Sequence, residues 1–72
     1  MNAVNVLVNG EDRALQPGAT VADVVRSLDL APDARGVAVA LDGEVVIRGA
    51  WGSTVLAEGA RIEVLGAIGG GR

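Results

Sequence analysis

Valines at positions 4, 6 and 8 alternate with Ala3, Asn5 and Leu7, and this period of two predicts a β-strand. Asn9-Gly10 follows at once, a dipeptide that readily takes the positive φ angles of a tight hairpin turn. Glu11 to Leu15 is then the returning strand, and its polarity places it at a sheet edge. Pro17-Gly18 ends it. Thr20 is a good helix N-cap, and Asp23 three residues on approximates a capping box. Val21, Val24, Val25 and Leu28 recur at helical spacing, so one short helix carries a single apolar stripe. Asp23, Arg26 and Ser27 fall on its wet side, and Pro32 stops it by about Leu30.

Beyond the helix, Val37, Val39 and Leu41 share one face of a strand beginning near Gly36. Asp42-Gly43 gives a second hairpin turn, with Glu44 to Arg48 returning. Gly49 to Gly59 reads as irregular, with Trp51 and Leu56 as core anchors. Arg61 to Leu65 is the last strand, directing Ile62 and Val64 inward, and the glycine-rich stretch Gly66 to Arg72 follows. The order is hairpin, helix, hairpin, irregular segment, strand and tail. One helix over one face of a mixed four- or five-stranded sheet makes a two-layer α+β domain, an arrangement that matches the ubiquitin-like β-grasp fold. Residues 1–65 are expected to form the domain and residues 66–72 a flexible tail. By strand parity Leu7, Ala38, Ala40 and Leu65 share the face the helix leaves open, which makes that face a candidate docking surface.

Composition narrows the chemistry. The 72 residues suffice for one small domain, whose apolar positions must nearly all serve packing. The chain has no His, Cys, Lys or Tyr, which removes most general bases, nucleophiles and metal ligands. Ser27, Ser53, Thr20 and Thr54 have no histidine or lysine to activate them, so the chain is expected to act by binding or by being modified, not as an enzyme. No bound cofactor or metal is expected. A net charge of −3 with one aromatic residue argues against nucleic acid and suits a partner with a basic docking face. No stretch is apolar enough to span a membrane, and Met1 to Val6 lacks the pattern of a signal peptide. With no cysteine nothing argues for export, so a cytoplasmic protein is expected.

The ordered set Asn9-Gly10-Glu11, Gly18-Ala19-Thr20-Val21-Ala22-Asp23, Gly36 through Val46 and Arg61-Ile62-Glu63-Val64-Leu65 resembles the ThiS family of thiamine-pathway sulfur carriers. Trp51, and Ala67-Ile68 before the glycines, fit the same pattern, so the resemblance covers essentially the whole chain. It implies that a terminal glycine carboxylate is adenylated by an E1-like enzyme of the ThiF type, using that partner's ATP and magnesium. Conversion to a thiocarboxylate then lets a thiazole synthase of the ThiG type accept the sulfur. Gly71 becomes the reactive residue once Arg72 is lost, with Gly70 as the alternative. Gly66, Ala67, Ile68, Gly69 and Gly70 would be the part of the tail that enters a partner's channel. Glycines, lacking a Cβ, suit a narrow passage.

Arg72 departs from the family pattern, which ends in glycine. Three explanations stand side by side: a processing peptidase removes it, it is an appended non-native residue, or carrier function has been lost. Two other functions compete with a thiamine carrier. One is a carrier for molybdopterin, cysteine or a sulfur-containing natural product, although Leu65-Gly66-Ala67-Ile68 lacks the proline pair typical of molybdopterin carriers. The other is a non-covalent β-grasp binding module that uses the open sheet face and is never modified.

Overall fold

The computed structural model describes residues 2–28 and 36–66. Strand β1 is Val4–Val8 and β2 is Glu11–Leu15, followed by helix α1 at Val21–Ser27. Strands β3 (Ala38–Leu41) and β4 (Glu44–Val46) form the second hairpin, and β5 is Arg61–Leu65. A 3-10 helix, Arg48–Ser53, lies between β4 and β5. The five strands make one mixed sheet in the order β2-β1-β5-β3-β4. Only β1 and β5 run parallel; the other neighbours are antiparallel. This is the β-grasp architecture, with the polar strand β2 at an edge, as its composition predicts.

Both hairpin turns follow from their dipeptides. Asn9 and Gly10 have φ of 51° and 86°, and Asp42 and Gly43 have 49° and 88°. Two consecutive positive φ values match the right-handed twist of the flanking strands, and Asn, Asp and Gly bear them at least cost. A two-residue turn also sets the register: Val8 lies opposite Glu11 and Leu41 opposite Glu44.

Helix α1 begins with a complete capping box. The Asp23 N–H donates to Thr20 Oγ1 at 3.3 Å, and the Thr20 N–H donates back to Asp23 Oδ2 at 2.9 Å. That backbone donor, aided by the Thr20 hydroxyl and by Arg26, holds the Asp23 carboxyl below its ordinary 3.8. Val21, Val24 and Val25 are buried and Leu28 half-buried, so the apolar stripe faces the sheet. It meets Val6 and Val8 of β1, Val39 of β3, and Ile62 and Val64 of β5. Fully burying a side chain of this size contributes roughly 1.5–3 kcal/mol, so this one interface holds most of the domain's stabilisation. Among the described residues no polar or charged side chain is buried.

Two segments differ from expectation. Strand β4 stops at Val46, where the sequence pattern carries it to Arg48, and the following segment is helical where irregular chain is expected. Trp51 explains both. Its ring is buried among the core residues, and its indole Nε1–H donates to the Val46 carbonyl at 2.9 Å. An extended strand through Arg48 would carry Trp51 away from the core; tightening the chain after Ile47 brings the ring back over the sheet's end. The Ala50 N–H donates to the Ile47 carbonyl at 2.8 Å, and the Arg48 guanidinium lies 5.9 Å from the Trp51 ring centre. Ala60, which the periodicity does not single out, is also buried.

Val25→Asp is expected to abolish cooperative melting followed by Trp51 fluorescence, because the carboxylate would enter an apolar interface with no partner. Arg26→Ala should shift stability by no more than about 0.5 kcal/mol, since its ion pair with Asp23 is exposed. The depressed Asp23 carboxyl gives a pH dependence of known sign. Its contribution is present above 3.8 and lost as pH falls through the lower folded value. Wild type should therefore melt above Asp23→Asn in neutral buffer, and the gap should narrow in strong acid.

Candidate functional site

Among the described residues the sheet has one face under the helix and one without it, and register determines what the second face carries. On β1 it presents Leu7, whose partners are Asp12 on β2 and Arg61 on β5. On β3 it presents Ala38 and Ala40, opposite Leu65 and Glu63 of β5. The four residues expected there from parity, Leu7, Ala38, Ala40 and Leu65, thus lie on the same face. Leu7 and Ala40 are half-buried by their neighbours, whereas Ala38 is exposed and Leu65 is 75% exposed.

Val45 of β4 belongs to this face as well. It pairs with Ala40 and is 78% exposed, more than Ile47, Val55 or Leu65. The sequence contains the signal that would have found it: a two-residue turn at Asp42-Gly43 puts residue 45 opposite residue 40. Leu65, Ala38, Ala40 and Val45 then form an apolar strip across three neighbouring strands. Glu63 stands beside it, and Asp12 and Arg61 make the β1 side of the face more polar.

Strand β5 lies at the centre of the sheet, between β1 and β3, and the chain runs from its end through Leu65 into Gly66. Gly66 is half-buried. The apolar strip therefore includes Leu65, the residue directly before the glycine segment. Ala67, Ile68, Gly69, Gly70 and Gly71, expected as channel-entering tail and reactive terminus, lie outside the described residues, as does Arg72.

A groove of about 470 Å³ is lined by Asp42, Gly43, Gly59, Arg61 and Glu63, toward the start of β5. The Asp42 carboxylate in it is engaged with the Arg61 main chain. Asp42 Oδ1 accepts from the Arg61 N–H at 2.9 Å, and the Asp42 N–H donates to the Arg61 carbonyl at 2.8 Å. Among the described residues no three His, Cys, Asp or Glu side chains gather where a metal could be held, and no helix is long and apolar enough to cross a membrane.

A five-stranded mixed sheet with one helix on one face defines a ubiquitin-like β-grasp protein. Comparison with known proteins assigns the family. The ThiS family model matches residues 6–71, and the chain belongs to that family. The crystal structure of the thiamine biosynthesis protein ThiS from Geobacter metallireducens is similar to it, with a TM-score of 0.74 and 33% identity. That match covers 94% of this chain and all of the other. A thiazole synthase of Magnetococcus marinus is 38% identical over 69 residues, covering 96% of this chain. The chain spans only 21% of the length of that relative.

Leu65→Thr and Val45→Thr should each change stability by no more than about 0.5 kcal/mol, because both side chains lie in solvent and threonine suits a strand. Thermal melts beside Val39→Thr on the buried face, which should lose considerably more, would check the orientation of the sheet.

Proposed function

We propose that this protein is a sulfur carrier, acting through a C-terminal carboxylate and not as an enzyme. The observation that carries this reading is the family match over residues 6–71, which ends on Gly71 itself. Cleavage of the Gly71–Arg72 bond by a processing peptidase frees the Gly71 carboxylate. An E1-like partner then activates it with its own ATP and magnesium. A Gly71 carboxylate oxygen attacks the α-phosphorus of ATP and pyrophosphate leaves, giving an acyl-adenylate. The terminal sulfur of a donor persulfide displaces AMP at the carbonyl carbon to give an acyl disulfide. A thiol then attacks the donor's sulfur, forming a disulfide and releasing the thiocarboxylate. A carboxylate is a poor electrophile until one oxygen becomes a good leaving group, and adenylation supplies it.

Each part of the chain has a task in this scheme. The apolar strip Leu65, Ala38, Ala40 and Val45, with Leu7 beside it, docks on the partner. Gly66, Ala67, Ile68, Gly69 and Gly70 carry Gly71 into the partner's channel, and the glycines, lacking a Cβ, suit its narrowest part. Contacts made by the folded body offset the cost of ordering the glycines. The sulfur passes to a thiazole synthase building the thiazole ring of thiamine. The resemblance to a thiazole synthase that is nearly five times longer supports this choice of acceptor over molybdopterin or cysteine pathways.

The test compares a chain ending at Gly71 with one ending at Arg72, each incubated with ATP, magnesium, the organism's E1-like enzyme and a sulfur donor. Intact mass should show one oxygen exchanged for sulfur in the trimmed chain and none in the other, with equal melting of the two. Gly71→Val in the trimmed chain should block the exchange. Failure of the trimmed chain to gain sulfur would overturn the carrier reading and leave the open face as the binding surface of an unmodified module.

A further inference from the structure

The parallel ladder between β1 and β5 is cut short on one side. Strand β1 ends at Val8, opposite Ile62, while β5 continues through Glu63, Val64 and Leu65. Two rungs of the ladder run from β1 to β5: the Leu7 N–H donates to the Ala60 carbonyl and the Asn9 N–H to the Ile62 carbonyl, both at 2.9 Å. In a regular parallel pair the next donor is the Val64 N–H, and its acceptor would be the main-chain carbonyl of Asn9. Asn9 cannot offer that carbonyl, because its φ of 51° turns the chain into the hairpin. Its side chain takes the place instead. The Val64 N–H donates to Asn9 Oδ1 at 2.8 Å, a part-buried bond linking residues 55 apart in sequence.

We propose that Asn9 is a positioning residue for the carrier reaction: its side-chain carbonyl replaces the missing rung of the ladder and holds the end of β5, from which the reactive tail departs. This inference rests on the carrier reading. The Asn9 bond is made one residue before Leu65 and two before Gly66. On the other side of β5, Ala38 pairs with Leu65 and Val39 with Val64, so the two sides together clamp the base of the tail. Without the Asn9 bond, Val64 and Leu65 are held on one side only. More of the chain must then be ordered when the tail enters a partner, and that cost falls on binding. The position therefore carries two separate demands, a positive φ and a side-chain acceptor oxygen. Glycine would serve the turn but not the ladder, and aspartate serves both.

This separation supplies the experiment. Asn9→Gly keeps the turn, since glycine takes positive φ freely, and removes the acceptor. Asn9→Asp keeps the turn and restores an acceptor oxygen at the same place. In chains cleaved after Gly71, folded throughout by Trp51 fluorescence, Asn9→Gly should raise the KM of the E1-like enzyme for the carrier about three- to tenfold, the range one neutral hydrogen bond supports. Its kcat should be unchanged, because the tail, once bound, is held by the partner. Hydrogen exchange at the Val64 amide should speed up at least about tenfold in Asn9→Gly and stay slow in Asn9→Asp, which should also return KM to near wild type. A wild-type KM for Asn9→Gly, or an Asn9→Asp chain that protects Val64 but does not recover KM, would overturn the role of Asn9 alone. A wild-type trimmed chain that never reacts would overturn the carrier reading and this role together.

Discussion

The pairing of the first strand with the last is the contact on which the rest of this small domain depends. Strands β1 and β5 lie side by side at the centre of the sheet, and their inward residues Val6, Val8, Ile62 and Val64 form the floor on which the helix rests. Parallel strands cannot be joined by a tight turn, so everything between them, two hairpin turns and the helix included, serves as the crossover. Closing a loop of that length costs entropy before any contact is gained. The helix stripe of Val21, Val24 and Val25 offsets that cost by removing both strands from water at once. Polar contacts then lock the pairing, among them Glu58 Oε1, which accepts the Asn5 N–H at 2.9 Å across 53 residues.

A helix of seven residues can cover only one face of a five-stranded sheet. The chain spends its largest side chain, Trp51, on closing one end of the core. Among the described residues no second apolar layer covers the other face, which carries small and medium residues, Ala38, Ala40, Val45 and Leu65, beside the charges of Asp12, Arg61 and Glu63. Exposed apolar side chains are ordinary when scattered. Here four stand on three adjacent strands, and one of them is the last residue of β5. A partner that docks on this strip meets the base of the glycine segment in the same encounter. In the carrier reading this accounts for a body without catalytic side chains. In that reading the reacting group is a main-chain carboxylate, and the side chains serve to present it.

The central placement of β5 matters for the same reason. A tail leaving an edge strand would start from chain bonded on one side only. Leaving from the middle of the sheet, it starts from a strand bonded to β3 on one side and to β1, through the Asn9 side chain, on the other. The fold thus places the glycine segment directly after one of its best-held strands.

Much of this was legible in the amino-acid sequence, because the signals are local. Alternating valines, Asn-Gly and Asp-Gly turns, the Thr20–Asp23 capping box and the stripe at Val21, Val24 and Val25 each need only their neighbours in the chain. The parity that put Leu7, Ala38, Ala40 and Leu65 on one face is equally local, and the register of the second hairpin would have added Val45. Strand order, the stop of β4 at Val46, the burial of Ala60 and the use of Asn9 as a ladder rung were decided by tertiary structure. Each depends on which distant segment arrives alongside: Trp51 bends the chain only because a core is there to receive its ring. Asn9 reads locally as a turn residue, and its second task exists only because Val64, 55 residues later, presents an N–H at the point where β1 has already turned away.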